Sequence, residues 1–242
     1  MTFDDALETL RHHADPAQVG AKTAYHKQTR VVLGVTNDVL NELSKDWRRE
    51  LDVAGRVTLA RDLWQSDIFE ARILAAKLLT QARIKDDAEV WDLLVSWVPE
   101  FDSWAIADHV CSALSKRLMA APERLDTVES WTTSEHMWTR RAAMVATLPW
   151  AKLPNPKPAE NAARDRILGW AETYVPDRDW FIQKCIAWWL RDLSKHDAAR
   201  CQNFLDLHGP QMKAFARKEA GKYLRKAAEP TGETGAAEKT GS

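Results

Sequence analysis

Residues 91–118 read WDLLVSWVPEFDSWAIADHVCSALSKRL. An aromatic and aliphatic stretch runs up to Pro99, a short polar turn follows, and a second amphipathic stretch begins at Trp104. Asp102 or Ser103 stands just ahead of that second stretch, where a side-chain oxygen can accept from the free N–H groups of a first helical turn. The segment therefore predicts a helix, a capped turn and another helix. Residues 128–148, VESWTTSEHMWTRRAAMVATL, have the same form, with Ser134 as the opening residue.

Working outward, the same signals recur along the chain. Thr36 precedes Val39, Leu40, Leu43 and Trp47 on one stripe. Asp67 with Glu70 makes a capping-box-like start to 69–84, and Asp177 or Asp179 opens 180–195. Breaks fall at Pro16, Gly34, Pro99, Pro122, the Pro149–Pro158 region, Pro176 and Gly209–Pro210. Alternating strand patterns and an Asn-Gly hairpin signal are both missing. The reading is all-α, with about a dozen helices of roughly ten to eighteen residues. Helix pairs recurring every ~35–45 residues point to a HEAT-like solenoid of stacked antiparallel pairs with a concave binding face. Periodicity by itself also fits a globular helical bundle. The domain spans 1–225, and 226–242, rich in Ala, Glu, Gly and Thr, reads as a disordered tail.

The 242 residues are 45% hydrophobic and 29% charged, with a formal net charge of −1. A nucleic-acid binder of that balance must gather its basic residues on one face. Twelve tryptophans against three tyrosines is the unusual count, and most are expected between helix layers. Cys111, Cys185 and Cys201 are odd in number and lack CxxC spacing, so they read as reduced thiols of a cytoplasmic protein. The acidic start MTFDDALETL carries no signal region, and no run approaches the ~18 apolar residues of a membrane span. Gly-rich phosphate loops, HExxH, GxSxG and clusters with metal-ligand spacing are all missing.

Trp104 and Asp108 are one helical turn apart, so they share a face that offers a π-surface and a negative charge to a cationic group. A core tryptophan beside a solvated carboxylate is the plainer alternative. Basic residues form four islands: Arg140 and Arg141 beside Trp138; Lys184 and Arg191 around Trp188; Lys213, Arg217, Lys218, Lys222 and Arg225; and Lys45, Arg48 and Arg49 beside Trp47. They read either as solvated helix surface or as a phosphate track.

These segments resemble the HEAT-like-repeat DNA glycosylases of the AlkD type, within the bacterial DNA alkylation repair family. WFIQKCIAWWLRDLSK (180–195) is similar to that family's FIQKAIGWxLREYSK segment, and EHMWTRRAAMVATL (135–148) to its WxxRAAI segment. WAIADHV (104–110) matches its W-x-x-x-D element, and AYHKQTRVVLGV (24–35) its N-terminal tyrosine element. The matches run in family order over about residues 5–224. The resemblance implies catalytic residues Asp108, Trp104 and Trp188, the two tryptophans facing the sugar in the cleft, a cleft Tyr25, a cleft Arg141 holding an adjoining phosphate, and Arg191 near the DNA backbone. It implies duplex DNA containing alkylated purines as partner, a monomer, no metal and no cofactor, and a cytoplasmic, nucleoid-associated location. Lys184, Arg140, Lys213, Arg217 and Lys218 are the remaining candidate DNA contacts. Two departures stand out: TNDVLNEL (36–43) is not basic around Asn37–Asn41, and a basic position after Arg141 is replaced around Pro149.

Overall fold

A computed structural model describes residues 1–224; the expected tail at 226–242, and Arg225, lie outside the described residues. Within them fourteen α-helices follow one another. They are α1 (Phe3–His12), α2 (Pro16–His26), α3 (Asn37–Glu50), α4 (Val53–Gln65), α5 (Phe69–Leu79), α6 (Ala88–Ser96) and α7 (Trp104–Ala120), then α8 (Leu125–Ser130), α9 (Met137–Ala146), α10 (Leu148–Lys152), α11 (Pro158–Tyr174), α12 (Trp180–Leu193), α13 (Ala198–His208) and α14 (Ala214–Ala220). The helices are more numerous and more varied than their periodicity predicts, from the five residues of α10 to the seventeen of α7 and α11.

The helices stack as pairs. α3, α5, α7, α9, α12 and α14 pack each against the next as one layer. Behind them α1, α4 and α6 form an outer layer, continued by α11 and α13 behind α12. The architecture is the all-α, HEAT-like repeat solenoid that the sequence predicts. Its core is rich in tryptophan, with Trp47, Trp64, Trp91, Trp97, Trp131, Trp150, Trp170 and Trp189 buried. Trp64 stacks flat on Trp97 with ring centroids 4.3 Å apart.

Several helix starts follow the expected caps. Thr36 accepts from the Val39 N–H, Ser103 from the Ile106 N–H, and Asp179 from the Phe181 N–H at 2.7 Å. Two do not. α9 begins at Met137 with His136 as its cap residue, and Ser134 accepts from the His136 N–H in the preceding turn. α5 begins after Ile68 with no side-chain cap, so Asp67 and Glu70 form no capping box.

Tertiary demand overrides local chemistry there. Every residue of α5 is buried, so its charged groups need partners from other segments. Glu70 accepts from the backbone N–H groups of Leu33 and Gly34 at 2.9 and 2.8 Å. Asp67, at φ 54°, pairs with Arg30 and Arg72. The 27–36 segment is thereby strapped across the start of α5. Gly34 sits at φ 84°, where an added Cβ would lie 2.2 Å from the Asp15 carbonyl oxygen, so only glycine fits.

Candidate functional site

The inner layer carries the residues of interest on three consecutive members. Ser103 caps α7, which places Trp104 at its first position and Asp108 one turn later. α9 supplies Arg141 and α12 supplies Trp188. Asp108 and Trp188 line one cleft of about 450 Å³ together with Ser112 and Lys116 of α7, Leu148, Pro149 and Lys152 of α10, and Leu153. Ser115, at the same cleft, is engaged with the carbonyls of Cys111 and Ala146.

Asp108 is held from behind. Arg141 Nη1 and Nη2 donate to its two carboxylate oxygens at 2.5 and 3.2 Å. The guanidinium is only 4% exposed, whereas the carboxylate is 25% exposed and reaches the cleft. Burial by itself would lower the Arg141 guanidinium, but the adjacent Asp108 charge and its hydrogen bonds carry it above the ordinary arginine value. Trp138 lies against the same guanidinium, 5.7 Å from ring centroid to carbon. Cys111 and Cys185 are buried nearby and free. Desolvation raises both thiols, Cys185 to about 12, so neither offers a nucleophile at neutral pH.

Trp104 stands at the edge of this arrangement, lining a smaller neighbouring cavity of about 230 Å³ with Lys22, His26, Phe69, Glu70 and His109. The exposed Tyr25 ring meets it edge-on at 5.7 Å, and His26 packs on it at 5.0 Å. Burial lowers His109, which lines this cavity, to about 4, with Lys77 and His26 adding to the effect.

The expected DNA contacts fare unevenly. Arg141, expected as the cleft arginine that holds an adjoining phosphate, is buried and engages Asp108 through its fork. Arg140 binds Asp177 at 3.0 Å and the Ser134 carbonyl at 2.8 Å. Lys184 and Arg191 both reach Glu219 of α14, and Arg191 also lies 3.5 Å from Asp192. Arg217 and Lys218 are exposed on α14, and Lys213 is half-buried just before it. Of the departures, Asn41 accepts from Lys77 Nζ at 2.6 Å, and Pro149 opens α10 at the cleft rim. Lys116 and Lys152 are cleft residues that the sequence reading missed. Lys116 had a signal, because it lies eight residues after Asp108 on the same stripe of α7.

A stack of helix pairs presenting a carboxylate, a tryptophan and lysines from successive inner helices defines the class: a HEAT-like repeat protein with a built cleft. The chain belongs to the DNA alkylation repair enzyme family, whose model matches residues 6–224. A solved structure described as a predicted DNA alkylation repair enzyme from Enterococcus faecalis is similar, at 21% identity and a TM-score of 0.73, over 88% of this chain and 98% of that one. AlkD2 from Streptococcus mutans is similar at 18% identity and a TM-score of 0.58, over 79% and 89%. The protein smu.31 from Streptococcus mutans UA159 matches at the same identity and TM-score, over 77% and 92%. At these identities the likenesses establish the fold. No curated protein matches the chain. Among the described residues no helix is long and apolar enough to cross a membrane.

Proposed function

We propose that the protein is a DNA glycosylase that excises cationic N3- and N7-alkylated purines, such as 3-alkyladenine and 7-alkylguanine, from duplex DNA. The observation that carries this reading is Asp108, fixed by two hydrogen bonds from Arg141 on a cleft wall that Trp188 shares. Alkylation at N3 or N7 makes the purine cationic, so it departs neutral when the C1′–N bond breaks and its electron pair moves to the base. Positive charge then grows on the deoxyribose, as in other glycoside cleavages with oxocarbenium character. Asp108 stabilises that charge and orients the water whose oxygen bonds to C1′ and whose proton is released. Trp188 contributes π-density and a low-dielectric wall, and Trp104 with Tyr25 lies against the flanking nucleotide.

Arg141 acts as a positioning residue, since a bidentate fork fixes both carboxylate oxygens. The reading needs no base pocket, because Asp108 and Trp188 act on the sugar and not on the base. Selection then rests on the lesion's leaving-group ability, and neutral bases are poor substrates. The protein is expected to act as a monomer.

A non-catalytic DNA-binding scaffold is the second reading, and the Asp108–Arg141 pair also lends it support, because a buried ion pair ties α7 to α9. One experiment separates them. Duplex containing 7-methylguanine is incubated with wild type and with Asp108→Asn, and both free base and duplex binding are measured. The glycosylase reading expects release by wild type and a loss of at least about a hundredfold in the variant, with binding retained. Binding by wild type without any base release would leave the scaffold.

A further inference from the structure

Four of the cations expected to hold the DNA backbone, Arg140, Arg141, Lys184 and Arg191, are engaged by carboxylates within the molecule. Arg141 is engaged by Asp108 and Arg140 by Asp177. Around α12, however, the account does not balance. Among the described residues, Lys152, Lys184, Arg191 and Lys195 share only the carboxylates of Asp192 and Glu219 as ion-pair partners. Four cations against two anions leave a surplus of positive charge, and Asp192 is nearly buried, its side chain 6% exposed. The cleft end of this network is Lys152, 53% exposed and 3.4 Å from Asp192. At the same cleft, Lys116 is exposed on α7 and makes no ion pair among the described residues.

Both lysines therefore line the Asp108–Trp188 cleft, Lys116 from α7 and Lys152 from α10. Asp108, Ser112 and Lys116 fall at successive turns of one face, about 12 Å from first to last at 1.5 Å per residue. That distance corresponds to a few nucleotide steps along a strand at 3.4 Å each. A lysine there meets a phosphate beside, not at, the sugar facing Asp108.

We propose that Lys116 and Lys152 are the phosphate grips of the cleft, holding the damaged strand's backbone where it passes Asp108. The proposal rests on reading the cleft as the DNA-facing site, but not on the chemistry there.

The test uses the full chain and a duplex carrying a tetrahydrofuran abasic analogue, with binding followed by fluorescence anisotropy across a salt series. A second duplex carrying 7-methylguanine is used for single-turnover base release at protein concentrations up to saturation. Each neutralised phosphate contributes about 0.9 to the slope of log K against log salt. Lys116→Gln with Lys152→Gln is expected to weaken binding about a hundredfold at fixed low salt and to flatten the slope by close to two. The protein concentration that half-saturates single-turnover release is expected to rise by the same factor as binding weakens. Lys116→Arg with Lys152→Arg restores the slope. An unchanged affinity and slope in the glutamine variant, with native circular dichroism, would overturn the proposal, and so would wild type that does not bind duplex. If wild type binds with a steep slope but releases no base, the glycosylase reading fails, and the lysine assignment is still decided by the slope.

Discussion

Asp108 and Arg141 form a pair whose two members stand in different environments. The guanidinium is enclosed, and the carboxylate is a quarter exposed. Breaking a fully buried pair by removing one partner costs about 3–5 kcal/mol, because the remaining charge loses its compensation. Water reaching Asp108 screens part of that loss. Arg141→Met is therefore expected to destabilise by about 2–4 kcal/mol in urea unfolding, with base release falling alongside. Asp108→Asn with Arg141→Met is expected to cost less than the sum of the single changes, with a coupling of about 1–3 kcal/mol. Additive losses would mean that Asp108 takes its position from other contacts. The turn-apart spacing of Trp104 and Asp108 was legible in the sequence, because it depends only on helical period and on the cap at Ser103. The engagement of Arg141 was not, because its partner stands 33 residues away on the neighbouring helix.

α7 faces two ways, and its two faces have opposite chemistry. Asp108, Ser112 and Lys116 line the cleft, while His109 lines the small cavity toward α3 and α5 with Lys22, His26 and Glu70. Burial, with Lys77 and His26 nearby, lowers His109 from 6.5 to about 4. Above pH ~6.5 the imidazole is neutral in both folded and unfolded chains and contributes no pH dependence. As pH falls from there toward 4, the unfolded chain takes up the proton first, so the fold loses stability until both states are charged. At pH 4.5 the loss is about 2–3 kcal/mol, at 1.36 kcal/mol per unit of pKa difference. Denaturant titrations at pH 7.5 and 4.5 are expected to show this drop in wild type beyond the drop in His109→Gln, in which the carboxylate background is the same. Equal drops would place His109 in contact with water. α5 shows why some elements resist sequence reading. Asp67 and Glu70 have capping-box spacing, yet a helix buried on every side directs both carboxylates to the distant Arg30, Arg72, Leu33 and Gly34.

At the scale of the molecule, a solenoid is held together mainly by nearest neighbours, so its ends depend on whatever ties them to the next pair. Helix periodicity and punctuation made the stacked architecture readable. They could not reveal which basic islands would be neutralised, because that depends on acids brought in by adjacent pairs, as Glu219 is to Lys184 and Arg191. Nor could they reveal the strap at the N-terminal end. There, Glu70 accepts from Leu33 and Gly34, Phe69 N–H donates to the Val31 carbonyl at 3.0 Å, and Arg30 bridges Asp67 and Asp102. The Asp15 N–H donates to the Leu33 carbonyl at 3.0 Å, so the start of α2 hangs from the same strap. α2 itself contains no buried residue and ends by placing Tyr25 against Trp104. Glu70→Ala removes the acceptor for one buried and one part-buried backbone donor, each worth about 1–3 kcal/mol when left without a partner. The loss is expected to be local, because α7, α9 and α12 pack on one another without the strap. Hydrogen exchange is expected to accelerate by about tenfold or more over residues 15–35 and to stay unchanged in α9 and α12. Tyr25 would then lose its fixed place on Trp104, and base release is expected to fall while the Asp108–Arg141 pair stays intact. Uniform acceleration along the chain would instead show that α5 and its strap open only with the whole stack, and that the N-terminal pair is not an independent unit.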